Sequence, residues 1–192
     1  MANLAIFASG KGTNFDSIAR AAMKSEHHSL RCLVCNRTKA YVVERAKALS
    51  VPIISVSYGE RERNEVEEEI LTELSELNID IIALAGYMKL LTPRFVDAYS
   101  GRILNIHPAL LPKYPGTHGI EESYESDDEE LGITIHLVDY GTDTGPILLQ
   151  KSFKRTKEET LDEIAERIHK MEHLYYPEVI IGLLDSCGEN SN

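Results

Sequence analysis

Short apolar runs alternate with stretches of helical spacing throughout the first half of the chain. The runs lie at residues 4–8, 30–35, 53–56, 79–85 and 103–106. Between them, Phe15, Ile18, Ala19 and Ala22 recur at helical spacing, as do Val42, Val43, Ala46 and Leu49 within 40–49. Val66, Ile70, Leu74 and Leu77 form the stripe of a longer helix over 60–77. Thr92-Pro93 opens a short helix, with the threonine as cap and the proline at the first position. Strands that alternate with helices pair in parallel, because the helix supplies the crossover. The run 79–85 is the most hydrophobic and is predicted to be central and buried.

The pattern then changes. Residues 132–138 and 146–153 read as strands with no long helix between them, which predicts a hairpin added to the sheet. A helical stretch over 156–184 follows, with Leu161, Ile164, Ala165 and Ile168 on its apolar face. Pro177 is predicted to end or kink it. The fold class is therefore α/β: an open, mostly parallel sheet with helices on both faces, an added C-terminal hairpin and a long C-terminal helix. With no internal repeat and no linker, residues 1–185 read as a single domain and 186–192 as a frayed tail.

Composition narrows the function classes. The 43% apolar share builds a core, and no run of 18 apolar residues suggests a membrane span. The start lacks the basic region of a signal peptide, so residues 4–8 read as a strand of a cytoplasmic protein. With 20 basic and 31 acidic residues, a formal charge of −11 argues against a nucleic-acid face but leaves room for a small anion held locally. Cys32, Cys35 and Cys187 are odd in number and do not make a disulfide framework. The C-x-x-C pair sits in a strand-like run with no second pair to complete a zinc site, and reads as two buried thiols.

Ligands of open parallel sheets bind at the carboxyl ends of the strands. Three segments converge there: the turn after the first strand, Gly86-Tyr87-Met88, and Asn105-Ile106-His107. Asn105 and His107 are two apart in a strand and share a face. They bring an amide and an imidazole to one side. Pro108, Pro112, Pro115 and Gly116 then stiffen the following loop. Gly10-Lys11-Gly12-Thr13-Asn14 offers backbone N–H groups at a helix start, either to a phosphate or as a plain capped turn. It is neither G-x-G-x-x-G, since Phe15 takes the last position, nor a Walker loop. Asp143 lies in a loop of turn formers, 139–146, and is either a turn residue or the carboxylate that orients His107.

His169-Lys170-Met171-Glu172-His173 matches the H-x-x-E-H zinc motif, but the downstream acids Glu178, Asp185 and Glu189 make poor third ligands near the tail. The match reads as accidental. His27 and His28 read as solvent-facing; His118 and His136 could each line a site, with a hydrogen-bonded structural role as the default. Asp127-Asp128-Glu129-Glu130 reads as a solvated acidic loop.

Taken together, residues 10–14, Leu84-Ala85-Gly86-Tyr87-Met88, residues 105–116, Asp143-Thr144-Gly145-Pro146 and Glu172-His173 resemble the phosphoribosylglycinamide formyltransferase family over nearly the whole chain. Methionyl-tRNA formyltransferase and formyltetrahydrofolate deformylase share the Asn-x-His-Pro and Asp set but usually carry a further domain. The resemblance implies a Rossmann-like sheet and a catalytic set of Asn105, His107 and Asp143. It implies a substrate phosphate on Gly12, Thr13 and Asn14, with His169 and Glu172 beside the rest of glycinamide ribonucleotide. It implies 10-formyltetrahydrofolate as co-substrate, contacted by Arg63, Met88, Lys89, Leu90, Leu91, Asn105, Asp139, Tyr140, Gly141, Thr142 and Asp143. No metal, nucleic acid or membrane is implied, and the chain is expected as a monomer or homodimer. The bond before Pro112 is expected to be cis.

Overall fold

The computed structural model describes residues 1–189 of the chain. Its elements run β1 (Ala2–Ala8), α1 (Thr13–Ala22), β2 (His28–Cys35), α2 (Tyr41–Ala48), β3 (Ile53–Ser55), α3 (Arg63–Glu76) and β4 (Ile81–Leu84). Then come α4 (Pro93–Ala98), β5 (Ile103–His107), α5 (Gly119–Glu125), β6 (Glu130–Leu137), β7 (Ile147–Lys154) and α6 (Leu161–Glu189). One sheet of seven strands takes the order β3-β2-β1-β4-β5-β6-β7. The pairings from β3 across to β5 are parallel, and β6 and β7 add on antiparallel. The chain reverses direction across the sheet between β1 and β4, and the crevice at their carboxyl ends is the switch point.

Alternation along each strand divides two apolar layers. Leu4, Ile6 and Ala8 of β1 face one layer with Phe15 and Ile18 of α1, Val42 of α2, and Ile168, Tyr176 and Ile180 of α6. Ala5 and Phe7 face the other, with Val66, Ile70 and Leu74 of α3 and Phe95 of α4. Cys32 and Cys35 are three apart, so they fall in opposite layers and cannot share a metal or a bond. Burial, with Glu73 nearby, pushes the Cys32 thiol up to about 12 despite Arg31, which keeps it inert.

Helix α6 departs most from the sequence reading. It begins at Leu161, not near Thr156, because Thr160 and Glu163 form a capping box: the Thr160 N–H donates to the Glu163 carboxylate at 2.8 Å and the Glu163 N–H to the Thr160 hydroxyl at 3.3 Å. Pro177 does not end it. Tyr176, Ile180 and Leu184, all fully buried, hold the helix to the sheet on both sides of the proline, and this packing outweighs the one hydrogen bond it removes. The helix also runs past residue 185. Ser186 Oγ donates to the Gly182 carbonyl and Cys187 packs on the core, so the expected tail is helical through Glu189, and residues 190–192 lie outside the described residues. His28 is buried rather than solvent-facing, since β2 starts at that residue and sets its Nε2 2.8 Å from Asp185 Oδ1. Helix α5 carried too few apolar residues to be read in advance. No helix among the described residues is long and apolar enough to cross a membrane.

The Tyr176 hydroxyl reaches the carbonyls of Leu84 and Leu104, at 3.0 and 2.9 Å, and so ties α6 to β4 and β5 just before the site. Tyr176→Phe leaves both buried carbonyls short of that donor. It is expected to lower stability by about 1–3 kcal/mol, read as a lower urea midpoint at unchanged slope.

Candidate active site

The turn after β1 is built for close approach. Gly12 has φ 74°, and a Cβ there would lie 2.5 Å from Val42 Cγ2, so no other residue fits. Helix α1 starts at Thr13 with no side-chain cap, which leaves its first amides to an outside acceptor. Asn14 Nδ2 donates to Glu172 Oε2 at 3.1 Å, and His169 Nδ1 lies 2.9 Å from the same oxygen. The fold thus brings Asn14, His169 and Glu172 together beside the turn. Glu172, buried at 4% exposure, raises the His169 pKa by hydrogen bonding and by its charge, against the opposing effect of burial. Burial lowers the pKa of the neighbouring His173, whose Nε2 is buried without a partner. Two of the three residues of the zinc-like motif are thus engaged with each other and with Asn14. No group of three or more His, Cys, Asp or Glu among the described residues is placed to hold a metal ion.

The centre forms where β5 pairs with β6. Register sets Asn105 opposite His136 and His107 opposite Thr134, so four polar side chains share one face. Asp143 reaches them from the loop after β6 with φ 57°, a conformation that Asp tolerates better than most residues. Its Oδ1 accepts from Asn105 Nδ2 at 3.2 Å, and its Oδ2 accepts the Gly116 N–H at 2.8 Å. His107 Nδ1 lies 3.4 Å from Oδ2, and His136 Nε2 lies 3.5 Å from Oδ1. Burial pushes the Asp143 carboxyl up. The His136 and Gly116 hydrogen bonds and the nearby imidazole charges outweigh burial and hold it below the ordinary carboxylate range.

His107 is held on every side. Its Nε2 is 2.6 Å from the Tyr114 carbonyl, an acceptor only, so that nitrogen donates. Its Nδ1 faces the Asp143 carboxylate, also an acceptor only. Gly119 lies against the ring: a Cβ there would be 2.9 Å from Nε2. Thr134 and Gln150 pin the intervening loop through Ala109 and Leu111, and the Leu111-Pro112 bond is cis as expected. Asn105 and Asp143 are half-buried, while the His107 side chain is 3% exposed.

The remaining candidates rim this centre. Met88 and Leu90 are exposed, Leu91 packs partly into the α3 and α4 layer, and Lys89 Nζ lies 4.9 Å above the Tyr58 ring. Arg63, the exposed first residue of α3, acts electrostatically on the same tyrosine. In the other loop, Asp139 Oδ1 accepts from the Gly141 N–H at 3.0 Å and Thr144 Oγ1 at 2.7 Å, which folds a tight turn. Tyr140 stands exposed and donates to Asp97, and Gly141 and Thr142 are exposed beside it.

A Formyl transferase family profile matches residues 2–180. The chain belongs to that formyl transferase family. It is 41% identical over 187 residues to the phosphoribosylglycinamide formyltransferase of Bacillus subtilis (strain 168), covering 96% of this chain and 95% of the relative. The protein of that name from Escherichia coli (strain K12) is 35% identical over 187 residues, covering 95% and 87%. The crystal structure of glycinamide ribonucleotide transformylase 1 from Geobacillus kaustophilus superposes with a TM-score of 0.91 at 44% identity, covering 96% of this chain and 99% of that one. The family and fold read from the sequence are both borne out, and this formyl transferase is an enzyme.

Sequence reasoning gave His136 a structural role by default and passed over Gly119. His136 alternates with Ile133 and Ile135 and so shares Thr134's face, but its meeting with Asn105 depends on a register no local signal specifies. Gly119 sits outside any recognisable motif. Asp128, read as solvated, accepts from Lys113 Nζ at 2.8 Å and the Tyr114 hydroxyl at 2.7 Å.

His169 titrates above the usual imidazole value because Glu172 stabilises its charged form. The stability this adds is full below the unfolded-state value of about 6.5 and is lost as pH rises through the raised folded value. Glu172→Gln should bring the His169 titration, followed by NMR of the ring protons, back down.

Proposed function

We propose that the chain transfers the formyl group of 10-formyltetrahydrofolate to the free amine of glycinamide ribonucleotide, a step of purine biosynthesis. The observation that carries this reading is the convergence of Asn105, His107 and Asp143 at the switch point, beside an uncapped helix N-terminus, in a formyl transferase chain.

In this reading the phosphate sits on the amides of Gly12, Thr13 and Asn14, where the helix dipole favours an anion. His169 and Glu172 meet the ribose or glycinamide part. The folate lies along Met88, Lys89, Leu90 and Leu91 and the 139–143 loop, with Arg63 toward its carboxylate tail. The amine lone pair attacks the formyl carbon, and the carbonyl oxygen becomes an oxyanion. Asn105 Nδ2 donates to that oxygen. His107, oriented by Asp143, supplies a second donor beside it. The bond from carbon to N10 then breaks. The attacking amine loses a proton and N10 gains one, relayed by Asp143 and a water. The products are formylated glycinamide ribonucleotide and tetrahydrofolate, and no metal takes part.

Loss of one preorganised donor typically removes about 3 kcal/mol of barrier stabilisation, a hundredfold or more in rate. Asn105→Ala and His107→Ala are therefore expected to lose turnover by about that factor while retaining the fold and phosphate binding. Release of deformylated folate, followed spectrophotometrically with and without glycinamide ribonucleotide, measures this. Near-normal turnover in either variant would sink the assignment. Turnover independent of the amine would make the chain a hydrolase.

A further inference from the structure

Ser9 is buried at 1% exposure immediately after β1, yet none of the roles above uses it. Its N–H donates to the Gly86 carbonyl at 3.1 Å. Its hydroxyl accepts the Met88 N–H at 2.9 Å and donates to Asn36 Oδ1 at 2.6 Å. The direction is fixed chemically. Met88 N–H can only donate, so the hydroxyl proton is left for the Asn36 oxygen. The chain Met88 N–H to Ser9 Oγ–H to Asn36 Oδ1 therefore runs one way across the loops after β4, β1 and β2. Bonds aligned in this manner strengthen one another.

We propose that Ser9, backed by Asn36, is a positioning residue for the folate-side loop. The inference rests on the functional reading above. Two features separate this role from plain packing. The phosphate turn has braces of its own: Val42 N–H donates to the Gly10 carbonyl at 3.1 Å, and Arg45 Nε to the Lys11 carbonyl at 3.0 Å. The far end of the folate-side loop is also held separately, by the Thr92 N–H donating to Glu67 Oε2 at 3.0 Å. Removing the Ser9 hydroxyl thus frees the Asn36 side chain and the Met88 end of the folate-side loop, where an exposed methionine begins the stretch that would meet the cofactor.

The test is kinetic and physical together. Ser9→Ala should raise the folate KM about tenfold, the equivalent of one hydrogen bond, and leave the glycinamide ribonucleotide KM and kcat nearly unchanged. Asn36→Ala should do the same more weakly, Asn36→Asp should restore the chain, and the double Ala variant should be no worse than Ser9→Ala. Hydrogen exchange of the Met88 amide, which needs no activity, should quicken by about tenfold in Ser9→Ala. Unchanged exchange at Met88, or both KM values rising alike, overturns the inference in a wild-type enzyme that is active. A wild-type protein with no folate-dependent transfer overturns the functional reading itself, and the positioning role with it.

Discussion

A single carboxylate holds the centre of this molecule together. Asp143 is contacted by the Asn105 amide, the Gly116 backbone N–H and two imidazoles, which come from β5, the proline-bound loop and β6. A buried carboxylate without donors would take up a proton. Here the donors outweigh burial and keep Asp143 ionised. The arrangement is mutual. The loops supply donors to the carboxylate, and the carboxylate fixes where the loops lie. In a site of low dielectric such preformed dipoles act strongly on charge that develops later, which suits a tetrahedral oxyanion.

The sheet makes this meeting possible. Five parallel strands place their loops on one edge, and the reversal between β1 and β4 opens a crevice there. The antiparallel addition of β6 then brings a second polar row against β5. Helix α6 spans the assembly. Glu172 meets the turn after β1, and one helical turn later Tyr176 meets the strands that carry the centre. The groups attributed to each substrate therefore share a rigid base.

Much of this was legible in the sequence, for identifiable reasons. Strand and helix periods differ, so the alternation announced a parallel sheet, and Asn105 and His107 shared a face by the two-residue repeat alone. Residues 10–14 announced a turn at a helix start, while the close approach of Val42 that requires glycine at Gly12 was not visible there. Long-range facts were not legible. His136 enters the centre through pairing register, and His28 meets Asp185 across most of the chain's length. Pro177 misled because local propensity argues for a break, whereas the buried side chains around it hold the helix whole. The acidic run at 127–130 is exposed at Asp127, Glu129 and Glu130 as read, and only Asp128 departs, since it gains its partners when the 108–116 loop folds back.

The most direct test of the central claim is a crystal structure with glycinamide ribonucleotide and an unreactive formyl-bearing folate analogue bound together. The account predicts the formyl oxygen within about 3 Å of Asn105 Nδ2, the His107 ring adjacent, and the phosphate on the amides at the start of α1. A formyl group seated away from Asn105 and Asp143, or a phosphate bound elsewhere, would contradict it.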